Sequence, residues 1–306
     1  MASTAVTLLF VSLLVFVVVR VLPGDPALVM LGIEASPQAV AALRESLGLN
    51  RPVPVQYIQW VGRAARGDLG RSIQYDVPVA GLVLSRLSVT LPLTLMAAGF
   101  MILAAVPLGV FAATYHRRWG DYVTMTLSQL GIAVPGFWAG LLLILLFSVK
   151  LGWFQAGGFD GWGQGVGGAL KSLLLPAVAL GLFQFAVLAR TTRSALLEVL
   201  REEYVKTARA KGVAERGVLF RHALRNAMIP ILTVAGVQLG QLMAGSIILE
   251  SVFYLPGLGR LALGAISARD LPVVQGVVLF VASVIVGINA AVDVLYGVLD
   301  PRIRYD

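Results

Sequence analysis

The 306-residue chain contains no cysteine. Disulfides, thiolate metal sites and thiol nucleophiles are therefore excluded. Its two histidines, His116 and His222, both lie in basic stretches, and any histidine metal site or Ser-His-Asp arrangement would have to use one of them. Charge is also scarce, at 13% of residues against 58% hydrophobic, with a mean hydropathy of +0.85. That balance does not suit a soluble domain of this length, and the chain reads as an all-α membrane protein. No Gly-x-x-x-x-Gly-Lys-Ser/Thr phosphate loop occurs, so ATP hydrolysis by this chain is not expected and no catalytic residue is named. The net charge of +8 could suit nucleic acid, but the basic residues flank apolar runs and are not interleaved with aromatics. Anionic lipid headgroups and a cytoplasmic partner are the better counterparts.

Six apolar runs are expected to cross the membrane: residues 4–19, 87–114, 123–149, 173–189, 229–249 and 273–298. The first is just long enough for the roughly 30 Å hydrocarbon core once its flanks are included. A cleaved signal peptide fits it poorly, because no basic residues precede it and Leu22-Pro23-Gly24 is not a small-residue cleavage site. The expected organisation is a first span (1–22), a long external loop (23–86) and a five-span core (87–306) with a cytoplasmic loop at 194–228. Six spans put both termini on one side. The distribution of Arg117, Arg118, Arg302, Arg304 and the basic residues of 194–228 favours the cytoplasm for that side.

Local punctuation fills in the loops. Pro23-Gly24-Asp25-Pro26 breaks the first helix, and Ser36-Pro37 reads as an N-cap followed by proline at the first helical position. Gly48 reads as that helix's stop, with Val40, Leu43 and Leu47 on one face. Gly67-Asp68-Leu69-Gly70 with Ser72 reads as a tight turn. Pro135-Gly136 is expected to kink the third span. The glycine-rich stretch 153–168 reads as a surface loop with interfacial Trp153 and Trp162, since no Lys-Ser/Thr follows it to make a phosphate cradle. Gly236, Gly240 and Ala244 recur every four residues in the fifth span, a small face for close helix approach. Residues 250–272 are read as an external segment containing Phe253-Tyr254-Leu255-Pro256-Gly257-Leu258-Gly259-Arg260.

The densest charge lies between the fourth and fifth runs, in Glu202-Glu203-Tyr204-Val205-Lys206-Thr207-Ala208-Arg209-Ala210-Lys211-Gly212 and on to Pro230. Good helix formers stand on both sides of Gly212, and a glycine inside one continuous helix would cost roughly 1 kcal/mol relative to alanine. The stretch is thus expected to be a helix–turn–helix with Gly212 at the turn. One reading of this island is a positive-inside anchor that only sets topology.

The other reading comes from resemblance. Tyr204-Val-Lys-Thr-Ala-Arg-Ala-Lys-Gly212, His222-Ala-Leu-Arg-Asn226-Ala and Pro230 resemble the EAA loop of ABC-importer permeases. The likeness is greatest to the B-type permease of the dipeptide/oligopeptide/nickel branch, with Pro-Gly-Asp-Pro, Gly-Asp-Leu-Gly, Pro-Gly-Leu-Gly and the Asp300-Pro301-Arg302 end in agreement. Lys206, Thr207 and Ala208 stand where the general pattern has Glu-Ala-Ala, and the proline arrives late, both departures being usual in that branch. The resemblance implies an ABC type I importer permease fold and alternating access. It also implies a homologous second permease, two cytoplasmic ATPases that bind ATP and Mg, and an extracytoplasmic substrate-binding protein. Glu203, Tyr204, Thr207, Ala208, Arg209, Lys211, Gly212 and Arg216 would then form the ATPase-coupling surface. Thr207 and Ala208 would pack closely, and Arg209, Lys211 and Arg216 would pair charges at its rim. Implied cargoes are di- or oligopeptides, nickel or a peptide-like solute, and the implied location is a prokaryotic cytoplasmic membrane.

Two rivals from other classes remain: an ion-coupled secondary carrier and a channel or scaffold. The spans are nearly clean of ionisable groups, apart from Asp293 near Asn289, which reads better as a helix-end residue than as a proton relay. Gln184, Gln238, Gln241 and Ser246 are polar groups within spans. They could line a substrate path or bond neighbouring helices.

Overall fold

A computed structural model describes residues 2–21, 28, 31, 35–46 and 48–299, and among them the only non-helical pairing is an isolated bridge between Arg71 and Pro78. The Pro23–Pro26 break, Leu47 and the Asp300–Arg302 end lie outside the described residues, as does the side chain of Leu43. The chain divides into two compact units, Met1–Val89 with Pro256–Val286, and Thr90–Leu255 with Gly287–Asp306.

In the first unit, α1 (Ala2–Val21) carries the first apolar run. Helix α2 (Pro37–Ser46) begins as its sequence dictates: Ser36 Oγ accepts the Ala39 N–H at 3.2 Å, and Val40 is buried. Gly48, at φ +66°, then closes it, with the Gly48 and Leu49 amides returning to Glu45 and Arg44 carbonyls. The 23–86 region holds more helix than the one expected between Ser36 and Gly48. A further helix, α3 (Val53–Ala64), packs Tyr57 and Trp60 against Phe16, with ring centroids 5.4 and 6.0 Å apart. Tyr57 also shares a 2.8 Å hydrogen bond with Ser12 Oγ. Twelve residues in which polar and apolar groups are mixed gave no long periodic signal, which is why α3 escapes a reading by runs.

The expected Gly67–Gly70 turn is present. Gly67 and Gly70 both have positive φ, and the Asp68 carboxylate accepts the Gly70 N–H at 2.9 Å. Helix α4 (Val79–Thr114) starts eight residues before the expected span, because Arg86 sits within its first turns without ending it. Its opening residues Val79 and Val83 form a buried cluster with Leu258, Leu261, Val273 and Val277. Leu258 and Leu261 come from α10 (Leu258–Ser267), and Val273 and Val277 from α11 (Leu271–Leu299).

The second unit is built on α7 (Val166–Val199) and α9 (Leu224–Val252), packed along each other, with α5 (Trp119–Ala133) and α6 (Gly136–Leu143) against α7. Two glycines permit close approach of α4 and α7. A Cβ on Gly181 would lie 2.9 Å from the Ala97 carbonyl, and one on Gly109 would lie 2.7 Å from the Ala189 carbonyl. Gly236 likewise meets Val292, and Gly240 is buried, whereas Ala244 is exposed, so the small face is used over two of its three positions.

The third span is not one kinked helix. Helices α5 and α6 meet at 105°, with Val134 (ψ 121°) and Pro135 (ψ 136°) both extended. Proline bars its predecessor from helical geometry and removes an N–H, and here that breaks the helix. After α6 the chain passes through a π-helical stretch, Ile144–Lys150. The glycine-rich loop is then pinned to the end of α9, where the Gly158 N–H donates to the Phe253 carbonyl at 2.8 Å. Glu250, expected at the head of an external segment, is instead fully buried in the last turns of α9 and accepts from Thr90 Oγ1 at 2.6 Å.

Helix α4, α7, α11 and the stretch Glu215–Val252 are long and apolar enough to cross a membrane, and the bent pair α5–α6 makes a fifth if it counts as one span. The apolar part of α1, Thr4–Val18, is shorter.

Candidate functional site

Helix α8 (Glu203–Ala210) stands in the charged island, where the sequence places it. Its end has Schellman geometry. Gly212, at φ +79°, donates its N–H to the Arg209 carbonyl at 2.9 Å, and the Val213 N–H reaches the Ala208 carbonyl at 3.2 Å. Only glycine adopts that φ without a Cβ penalty. Across the turn Arg209 grips Glu215 with two bonds, Nη2 to Oε1 at 2.6 Å and Nε to Oε2 at 3.1 Å. The chain re-enters helix at Glu215–Gly217, passes a π turn at Val218–Ala223 and runs into α9.

The island therefore has two faces. Val205 and Ala208 are buried on the inner face, and Val218 and Ala223 are buried on the π turn that packs against α8. Glu203, Thr207, Arg209, Lys211, Gly212 and Arg216 are exposed on the outer one. Ala208 thus faces its own chain, while Thr207 is outside with its hydroxyl bonded to the Glu203 carbonyl at 3.0 Å. Lys206 pairs with Glu203 at 2.6 Å. Tyr204, though exposed, is a fastener: its hydroxyl accepts from Asn226 Nδ2 at 2.6 Å, and Asn226 also donates to the His222 carbonyl at 3.1 Å.

Beside α8 lies a cavity of about 520 Å³ whose lining includes His116, Arg193, Glu198, Arg201 and Glu203. At its back is an ion cluster that sequence reasoning missed. Asp121, in the first turn of α5, is buried and accepts from Arg193 Nε at 2.5 Å, Arg193 Nη2 at 2.7 Å and the Arg117 N–H at 3.0 Å. Arg117 takes the left-handed conformation (φ 63°) that presents this N–H. His116 Nδ1 lies 3.1 Å from both Asp121 Oδ2 and Arg193 Nη2, and donates to the first or accepts from the second according to its tautomer. The available signal was a lone acid opening an apolar run and an arginine ending another. Nothing in the spacing paired them.

The four span residues are not all brought together. Gln184 on α7 donates to Gln241 on α9 at 3.0 Å. Gln238 is buried with neither amide atom bonded to protein, and Gln184 Oε1 is likewise unpartnered. Ser246 bonds only its own helix, at the Met243 carbonyl 2.8 Å away. Asp293 is exposed on α11. Among the described residues no group of three or more His, Cys, Asp or Glu side chains could hold a metal ion.

Long apolar helices with one braced, charged and exposed arm are the make-up of a polytopic membrane protein. The chain belongs to the family of binding-protein-dependent transport system inner membrane components, whose model matches residues 105–305, with the N-terminal model of that family matching 1–94. It is 46% identical over 305 residues to a Brucella abortus protein named for a peptide transport system permease, covering 100% of this chain and 97% of that one. It is 44% identical over 299 residues to the glutathione transport system permease protein GsiC of Salmonella choleraesuis, covering 98% and 95%. In fold it is similar to a chain of the inward-facing MetNI methionine ABC transporter, with a TM-score of 0.58 at 20% identity over 72% of this chain and 96% of that one. The protein is thus a multi-pass permease subunit of an ABC importer with the type I permease fold.

Proposed function

We propose that this permease moves di- or oligopeptides by alternating access and takes its energy from two separate cytoplasmic ATPases through residues 203–221. The observation that carries the reading is the arm itself. Its outer face is charged and exposed, its turn is fixed by Gly212, and its inner face and Tyr204 tie it to α9. A partner that pushed on α8 would push on a long helix of the transport core. In this reading Glu203, Thr207, Arg209, Lys211 and Arg216 meet the ATPase, while Tyr204, Ala208 and Gly212 hold the arm's shape.

The chain itself is non-catalytic, and ATP and Mg belong to the ATPases. The other partners are a homologous second permease and an extracytoplasmic binding protein. Six spans, with α1 first and α5–α6 as the third, leave both termini in the cytoplasm, around a 23–86 region outside and a five-span core. A peptide cargo is supported by the names of the relatives, and the Gln184–Gln241 pair with Gln238 supplies amide groups of the kind a peptide backbone can bond in a dry site.

Gentle extraction of the tagged chain from its native membrane, followed by mass spectrometry, tests this first. Two ATPases and a second permease should co-purify. Gly212→Trp, which must place a side chain at positive φ, should stay in the membrane yet lose the ATPases and transport. Full transport by that variant, or a wild-type chain that emerges alone from several mild detergents, would overturn the coupling role of 203–221.

A further inference from the structure

Three glutamines stand in the second unit where a span ordinarily carries apolar side chains. Gln238 and Gln241 are neighbours three residues apart on α9, and Gln184 on α7 meets the latter through its 3.0 Å bond. Counted from Ile229, where the apolar run begins, the two α9 residues are 9 and 12 positions in, about 14 and 18 Å at 1.5 Å per residue. That is mid-depth in a hydrocarbon core of roughly 30 Å. The charged residues of both helices lie outside this stretch. Lys171 and Arg190 bracket Gln184, and Arg225 and Glu250 bracket the α9 pair. An ionised ligand group therefore finds no counter-charge on α7 or α9 here, whereas a neutral polar one finds amides.

The hydrogen bonding is unfinished in a particular way. Gln184 donates through Nε2 to Gln241 Oε1, and its own Oε1 is buried without a partner. On these adjoining amides Gln241 keeps a nitrogen that can donate and Gln184 an oxygen that can accept. Gln238, 3% exposed, adds an amide bonded at neither atom. Burying such groups unbonded costs their desolvation without return, so they are disposed for something brought to them.

Access comes from the other face of α9. Val237, Gln241, Ala244 and Ile248 are exposed along one stripe, while Gln238, Leu242, Ser246 and Leu249 are buried along the next. Lipid does not suit the exposed stripe at Gln241, because hydrocarbon leaves an amide unbonded. Gln241 is thus where the buried amides reach a polar surface.

We propose that Gln184, Gln238 and Gln241 form a cargo subsite that reads the peptide main chain. It rests on the peptide reading above and adds which part of the peptide is recognised. A peptide unit carries one N–H and one C=O, the complement of one open amide oxygen and one open amide nitrogen. The cargo N–H donates to Gln184 Oε1, its C=O accepts from Gln241 Nε2, and Gln238 serves the next unit along. Because Gln184 Oε1 is buried, cargo takes its place as the Gln184–Gln241 bond opens. One amide–amide bond is exchanged for others of the same kind, so cargo is held without being trapped. Its side chains are not read here, and its charged ends find nothing to pair with.

The test uses the whole complex, with partner permease and ATPases, in liposomes with ATP and saturating loaded binding protein. The probe is whichever of di-, tri- and tetra-alanine wild type carries fastest, paired with its ester analogue, in which oxygen replaces one peptide N–H. The readout is the ratio of the two transport rates. Any preference of the binding protein enters every variant equally and cancels when ratios are compared. In Gln184→Leu the amide-over-ester ratio should fall at least about twofold from its wild-type value, as one hydrogen bond is lost. Gln241→Leu should lower it similarly, and the double variant no further. A role in helix packing alone would slow both cargoes and leave the ratio where it was. A smaller change in either single variant overturns the proposal and leaves the amides to water or to each other. So does loss of the second permease from purified Gln241→Leu, which would give the exposed stripe to that subunit. Failure of the peptide reading itself is separately visible, as a wild-type complex with active ATPases that carries none of the three peptides.

Discussion

Around Asp121 both carboxylate oxygens have partners, whereas elsewhere along α7 and α9 Gln238 has none within the protein and Gln184 only one. Both clusters are buried polar groups in the same helical unit, and both join neighbouring helices. The difference lies in what each leaves unfinished. A carboxylate met by a two-pronged guanidinium and a backbone amide is complete as it stands, and its role is to hold the start of α5 to the end of α7. A buried amide with no bond costs its desolvation without return, so the glutamines make sense where water or a passing amide completes them. Position in the fold agrees. The ion cluster sits beside the charged arm, where the proposed coupling would need rigid transmission, and the glutamines sit between α7 and α9.

The sharpest way to break that comparison is to remove the carboxylate. Asp121→Ala strands Arg193, whose side chain keeps 20% of its surface, and breaking a buried pair from one side costs about 3–5 kcal/mol. The expected result is a large drop in the thermal unfolding temperature of the detergent-solubilised chain. Pairing the change with Arg193→Leu should recover much of it, since no unpaired charge is then left inside. A single variant as stable as wild type would mean that the cluster fastens nothing.

The glutamine side of the comparison should respond in the opposite direction. Gln238→Leu replaces an unbonded amide by an apolar group of similar size, so stability should hold or rise by about 1–2 kcal/mol, read by the same unfolding experiment. Peptide transport by the intact complex should fall if cargo completes the amide. Loss of stability would show that Gln238 is already satisfied, and the contrast with Asp121 would vanish.

What the sequence disclosed follows the range over which its physics acts. Turn and cap chemistry is local, and Ser36, Gly48, Gly67–Gly70 and Gly212 all sit where their residue types predict. Long apolar runs are equally legible, which is why the all-α membrane class was clear. Charge near a boundary misled twice, because Arg86 and Glu250 marked expected ends yet both lie within helices. Pro135 announced a bend, and the observed 105° break is larger than the kink expected of it. The Asp121–Arg193 pair spans 72 positions, and the Ser72–Asp270 hydrogen bond spans 198. No local rule connects such residues, so their pairing had to wait for the fold.

The smallest expected effect tests whether the arm resembles the ion cluster in being a fastened part. Tyr204→Phe removes the hydroxyl that receives Asn226, but Asn226 keeps its bond to the His222 carbonyl, so the stability cost should be only about 0.5–1 kcal/mol. The informative readout is therefore peptide moved per ATP hydrolysed in the reconstituted complex. If Tyr204 carries movement of α8 into α9, the ATPases should still co-purify while that ratio falls, and Asn226→Ala should lower it similarly without adding to Tyr204→Phe. The outer-face change Arg216→Ala should act differently, weakening ATPase association with the ratio kept for complexes that do assemble. Equal ratios in Tyr204→Phe and wild type would leave α8 coupled through its buried face alone, by Val205 and Ala208 against the π turn.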